Sequence, residues 1–196
     1  MLGMTLNPGE FLRRVGDELA RVDARACVQL AELIADRWRT GRCVFVIGNG
    51  GSGSNASHFA TDLCKGSIPK HRLDDERQRR LRAISLTDHS PTLLAWGNDA
   101  GFDRVFVEQL RNLAQPGDLL IAISGSGNSP NVLHAVEWAN SHELTTFACT
   151  GFDGGKLRPL AQHALHVDLH DMEVVESIHN TVFHWVVDHL RVRFNA

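Results

Sequence analysis

The stretch CVFVIGNGGSGS (43–54) decides the fold. Its first six residues form a short apolar run without polar alternation, the pattern of a strand buried on both faces. The run meets glycines and serines at Gly50–Ser54 and passes into a helical stretch reaching about Cys64. DLLIAIS (118–124) repeats the arrangement: it runs into Gly125–Pro130 and then a helix to about Ser141. LRAISLT (81–87), LTTFACT (144–150) and ALHVDL (164–169) read as three further strands. Ser90–Pro91 opens a short helix, Phe102–Leu113 forms another, and a closing helix covers roughly 173–193. Upstream, Phe11, Val15, Leu19, Val22, Ala26, Leu30, Ile34 and Trp38 recur at helical spacing, which predicts one long helix over 9–39. Pro8 suits its first turn and Gly41 its end. Five buried strands alternating with helices predict an α/β protein with a five-stranded parallel sheet covered on both faces. Ligands of such sheets bind beyond the carboxyl ends of the strands, where both glycine- and serine-rich loops fall.

Composition narrows the function. The 196 residues carry 20 Lys and Arg against 23 Asp and Glu, a formal net charge of −3. That balance argues against a nucleic-acid binder, and the basic residues of the polar 66–80 segment have no aromatic interleaving. No apolar run is long enough for a membrane helix. The start MLGMTLNPGEFLRR lacks the pattern of a secretory signal. Cys27, Cys43, Cys64 and Cys149 form no CxxC pair and read as reduced packing residues, so the expected compartment is the cytoplasm.

The two loops differ in specificity. Gly48-Asn49-Gly50-Gly51-Ser52-Gly53 matches GxGxxG, but the acidic residue that a dinucleotide site needs about twenty positions on is absent. No nucleotide cofactor is expected. Ser124-Gly125-Ser126-Gly127-Asn128-Ser129-Pro130 places three hydroxyls at a strand-to-helix turn. Unpaired N–H groups and a partial positive charge at the helix start suit an anion there. The loop lacks the Gly-Lys-Ser/Thr of a triphosphate loop, so a phosphate monoester fits better. The bland alternative is a helix cap on a flexible turn.

The stretches GNGGSGSNASHFATDLCKG (48–66), LTDHSPTLLAWGND (86–99), ISGSGNSPNVLHAVEWA (123–139) and CTGFDGGKL (149–157) resemble, in order and spacing, the sugar-isomerase (SIS) domain. More closely, they resemble the phosphoheptose isomerase family, which converts sedoheptulose 7-phosphate into D-glycero-D-manno-heptose 7-phosphate. The resemblance implies one SIS domain over 1–196: an N-terminal helix (1–41) before a doubly wound, three-layer αβα core (42–196). It also implies a homotetramer with active sites at subunit interfaces and, in some members, zinc. Substrate contacts carried over from the family fall on Asn49, Gly50, Gly51 and Ser52, on Asn98 and Asp99, and on Ser124, Ser126 and Ser129. Gly125 stands where the family usually has a hydroxyl, which removes one side-chain donor, although a backbone N–H can still serve there.

The reacting centre departs from the family pattern. His58 and Asp62 occupy positions usually held by His and Glu, and i, i+4 spacing keeps both on one helical face. Asp withdraws the carboxylate by about 1.5 Å, one carbon–carbon bond. A surface ion pair is the alternative role for Asp62. On the closing helix, Glu176 replaces the family's Gln and His184 matches its His. Glu173, Glu176, Asn180 and His184 form a polar stripe on an otherwise apolar helix, with His179 to one side as a structural residue. His58, Asp62, Glu176 and His184 together suit a zinc ion with an open position. The charge of Glu176 either favours that cation or supplies the carboxylate that Asp62 no longer positions; the sequence leaves both open.

The resemblance therefore implies an aldose–ketose isomerase working through an enediol, with Asp62 or Glu176 as base and His184 as acid–base partner. Two alternatives stand beside it. One is a non-catalytic protein that binds phosphosugars or associates with a replication initiator. The other is an isomerase of a different sugar phosphate.

Overall fold

The computed structural model describes residues 2–66 and 68–194. Five parallel strands, β1 (Cys43–Gly48), β2 (Arg82–Ser85), β3 (Leu119–Ser124), β4 (Thr145–Thr150) and β5 (His163–His166), pair in the order β2-β1-β3-β4-β5. Every residue of β1 and β3 is buried, as their unbroken apolar runs require. Helices cover both faces. On one side lie α2 (Ala24–Thr40), α3 (Gly50–Gly66) and α8 (Met172–Phe194), packed over Val44, Val46, Ile121 and Phe147. On the other lie α4 (Ser90–Asp99), α5 (Val107–Leu113), α6 (Pro130–Ser141) and α7 (Leu157–Leu160); Phe106, Leu110, Val132, Ala135, Val136 and Leu157 cover Phe45, Ile47 and Leu120 there. The sheet is thus doubly wound, and its order reverses between β1 and β3, where such folds bind ligands. Among the described residues no helix is long and apolar enough to cross a membrane.

The stretch 9–39, expected as one helix, is two: α1 (Pro8–Ala20) and α2. Asn7 and Glu10 form a reciprocal capping box at the start of α1. The break falls at 21–23, where the Asp23 side chain accepts the Arg25 N–H at 2.9 Å and starts a new helix. Val22 keeps the apolar spacing through the break by packing against the same core, so periodicity alone hides it. The buried carboxylate of Glu18 is held by Arg14 at 2.6 Å and Arg21 at 2.9 Å. The Phe102–Leu113 stretch also divides, into a single 3-10 turn (Phe102–Arg104) and α5. All four cysteines are free thiols, with Cys43 and Cys149 buried.

Candidate functional site

The loops after β1 and β3 meet at the point where the strand order reverses. Gly50 takes a left-handed φ of +54° and turns β1 directly into α3. After β3, Gly127 takes φ +65°, and a Cβ on it would lie 2.1 Å from the Gly154 carbonyl oxygen. The Ser124 hydroxyl accepts the Gly127 N–H at 3.2 Å and lies 3.3 Å from the Ser129 hydroxyl; the Asn128 N–H donates to the Ser126 hydroxyl at 3.3 Å. The loops are tied together by a reciprocal amide pair: Asn49 donates to Asn131 at 2.8 Å and Asn131 returns a bond at 2.9 Å. Asn131 is buried on the first turn of α6. Sequence reasoning missed it; the available signal was an amide at a core-facing position just after Ser129-Pro130.

Between the loops lies a cavity of about 260 Å³. Asn49, Gly50, Gly51 and Ser52 line it on one side and Ser124, Gly125, Ser126 and Ser129 on the other, with Met172 and Glu176 of α8 completing the wall. The structure therefore gathers eight of the expected binding residues, and Glu176, around one space. Asn98 and Asp99 are not part of its wall. They are exposed at the end of α4, where the Asn98 amide donates to the Asp99 carboxylate at 2.7 Å. A neighbouring cavity of about 340 Å³ shares Asn49 and Gly50 with the first and is lined beyond them by Ser54, Ser57, Thr87, Phe102 and Phe106.

Helices α3 and α8 run parallel, held in constant register. The Ser52 hydroxyl donates to the Glu176 carboxylate at 3.2 Å, and the Asn55 amide donates to the Glu176 carbonyl at 2.9 Å. Two turns onward, Phe59 and Phe183 stack with centroids 4.3 Å apart. That stack fixes the residues beside it in sequence, His58 and His184. His58 Nε2 lies 3.3 Å and His184 Nδ1 3.5 Å from Asp62 Oδ2, and the two imidazoles meet edge to face at 4.9 Å. The Asn180 amide lies 3.5 Å from the other ring nitrogen of His184. The side chains of His58, Asp62 and His184 are 48, 30 and 50% exposed, so solvent or another molecule reaches them.

His58, Asp62 and His184 form a group whose ligand atoms all lie within 4.8 Å of one another. Two imidazoles and a carboxylate suit zinc, and nitrogen–oxygen separations of 3.3 and 3.5 Å match neighbouring corners of a tetrahedron with bonds of about 2.0–2.1 Å. The expected fourth member, Glu176, stands apart. It lies eight residues before His184 on one helix, about 12 Å at roughly 1.5 Å per residue, and it faces Ser52. Glu173 is exposed. His179 is structural, as expected: it is fully buried, its Nε2 lies 3.3 Å from the Thr150 carbonyl, and burial lowers its pKa to about 4.

The SIS domain family matches residues 10–151. A phosphoheptose isomerase of Pelobacter propionicus is 37% identical over 176 residues, spanning 90% of this chain and 89% of that protein. The Geobacter sulfurreducens phosphoheptose isomerase is 38% identical over 176 residues, spanning 90% and 89%. Among solved structures, phosphoheptose isomerase GmhA from Neisseria gonorrhoeae superposes with a TM-score of 0.81 at 33% identity, covering 90% of this chain and 91% of that one. The Francisella tularensis enzyme gives 0.80 at 30%, with the same coverage. Similarity of this extent, in sequence and in fold together, leaves one conclusion: the chain belongs to the phosphoheptose isomerase family of SIS-domain proteins.

Proposed function

We propose that this protein is an aldose–ketose isomerase of sugar phosphates, interconverting sedoheptulose 7-phosphate and D-glycero-D-manno-heptose 7-phosphate. One observation carries the reading: a hydroxyl- and glycine-lined cavity of phosphate-binding type shares α3 and α8 with a His–Asp–His group. The phosphate sits against the start of α6, bound by Ser124, Ser126 and Ser129 and by backbone N–H groups, with Ser52 facing it. A carboxylate takes a proton from C1 of the ketose and returns it to C2 through an enediol, while His184 moves the proton between the two oxygens. Asp62 is the assigned base, and Glu176 is the second carboxylate. His58, Asp62 and His184 would hold zinc, which when bound polarises the oxygens at the reacting carbons.

Reach dictates an assembly. Met172 touches the phosphate loop, and His184 lies twelve residues further along α8, about 18 Å away. A heptose phosphate fully extended spans only about 10 Å from phosphorus to C1, at roughly 1.5 Å per bond. A substrate anchored in the cavity therefore reaches Glu176 of its own chain but not the histidine group. The group that meets it comes from a second copy, in keeping with a homotetramer whose active sites lie at subunit interfaces. We read the protein as cytoplasmic, with no nucleic-acid or nucleotide partner. The test is turnover of sedoheptulose 7-phosphate by the wild type, with a loss of about 10³-fold in Asp62→Ala/His184→Ala. Full activity in that double variant refutes the assignment. Phosphosugar binding without turnover points to the non-catalytic alternative, and turnover of another sugar phosphate in a panel points to a different substrate.

A further inference from the structure

We propose that Met172 tunes affinity for the phosphate by acting through Gly125, setting how many hydroxyls grip the phosphate. This rests on the phosphate seat proposed above and deepens it. The loop 124–129 carries hydroxyls at 124, 126 and 129 and a glycine between the first two. Gly125 has no left-handed φ to explain it, since the loop's positive φ falls on Gly127. The reason is steric. A Cβ on Gly125 would lie 2.3 Å from the Met172 sulfur, 3.2 Å from its terminal carbon and 3.9 Å from a Val175 methyl. The thioether fills the volume that a side chain at 125 would enter.

Met172 is the first residue of α8 and forms part of the cavity wall. Its side chain is flexible and can rotate, but only by leaving this place. A side chain at 125 and Met172 in its present position are therefore mutually exclusive. The cavity consequently meets a phosphate with three loop hydroxyls and an apolar sulfur flank, where a fourth hydroxyl would otherwise fit. A hydroxyl bonding a charged phosphate oxygen contributes a large share of the strength of such an interaction. Exchanging sulfur for hydroxyl at this point retunes affinity for the phosphate end without touching the reacting end. Binding that is equal in ground and transition states appears in KM rather than in kcat.

The experiment is a double-mutant cycle read by calorimetric titration with inorganic phosphate and by steady-state kinetics, using wild type, Gly125→Thr, Met172→Ala and the double variant. The introduced hydroxyl is expected to tighten phosphate about tenfold when Met172→Ala is already present, with KM falling in parallel and kcat holding within about twofold. With Met172 retained, the gain is expected to be absent or reversed. Equal gains in both backgrounds, or no gain when the thioether has been removed, overturn the proposal. The decisive comparison is the double variant against Met172→Ala, so it survives misfolding of Gly125→Thr alone. Failure of the underlying reading looks different: the wild type itself then binds no phosphate.

Discussion

Gly51→Ala separates function from folding at a single carbon. Gly51 lies in the first turn of α3, and a Cβ built on it would fall 2.0 Å from Glu176 Oε2, 2.6 Å from its Cδ and 2.7 Å from Oε1. Ordinary non-bonded separations start near roughly 3.5 Å, so the carboxylate must retreat by roughly 1 Å or more. It then leaves the Ser52 hydroxyl, now 3.2 Å away. The folding cost is small. The lost hydrogen bond is worth about 1 kcal/mol, and Ala exceeds Gly in helix propensity by a similar amount. The catalytic cost is large if Glu176 works in the cavity, because a displacement of that size costs about 100-fold in rate.

The expected result is kcat/KM down about 100-fold, measured by heptose isomerisation, with the thermal midpoint shifted by only a few degrees. A second arm checks the cause. In a Glu176→Ala background the same substitution should cost little more, because the displaced group is already gone. Gly51→Ala at near wild-type activity would remove Glu176 from the working site. Equal losses in both backgrounds would show that the carbon acts by blocking the cavity.

Two further outcomes are expected. Removing either imidazole, by His58→Ala or His184→Ala, should abolish stoichiometric zinc uptake measured by equilibrium dialysis, while Glu176→Ala, whose carboxylate faces Ser52, should leave uptake by the isolated chain intact. The buried His179, with its folded pKa lowered to about 4 from 6.5, is neutral when folded but takes up a proton when unfolded below pH 6.5. Stability is then complete above that pH and is lost as pH falls towards 4, by about 3 kcal/mol in all; denaturant titrations of wild type and His179→Phe should show that acid limb reduced in the variant.

What the sequence made legible is local. The continuous apolar runs of β1 and β3 identified buried parallel strands, and the glycines and serines after them fell where ligands bind. The i, i+4 spacing of His58 and Asp62 placed them on one face, and they do meet. Two features escaped because they depend on tertiary geometry or on side-chain capping. The helix break at 21–23 is set by the Asp23 cap, beneath an apolar repeat that continues across it. The Asn49–Asn131 clamp joins residues 82 positions apart. Asn98 and Asp99 stand outside the cavity wall of a single chain, at the exposed end of α4, whose ten residues include none that is buried.

The separation of Glu176 from the histidine group has a physical cause that a shared stripe conceals. Glu176, Asn180 and His184 of that stripe, with Met172 one turn before them, recur every four positions, and four residues of a helix turn by about 400°, so each step drifts by roughly 40°. Over twelve residues the drift reaches about 120° while the helix advances about 18 Å. Met172 therefore addresses the Gly125 loop, Glu176 addresses Ser52, and His184 has swung round to Asp62. A helix of this length cannot aim both ends of its stripe at one small substrate. On the proposed reading it serves two instead, closing the phosphate end of its own cavity and offering its imidazole to a sugar held by a neighbour. The parallel register of α3 and α8, locked by the Phe59–Phe183 stack, keeps the two ends of that stripe at a fixed spacing, which on the proposed reading leaves assembly rather than loop closure to complete the reacting centre.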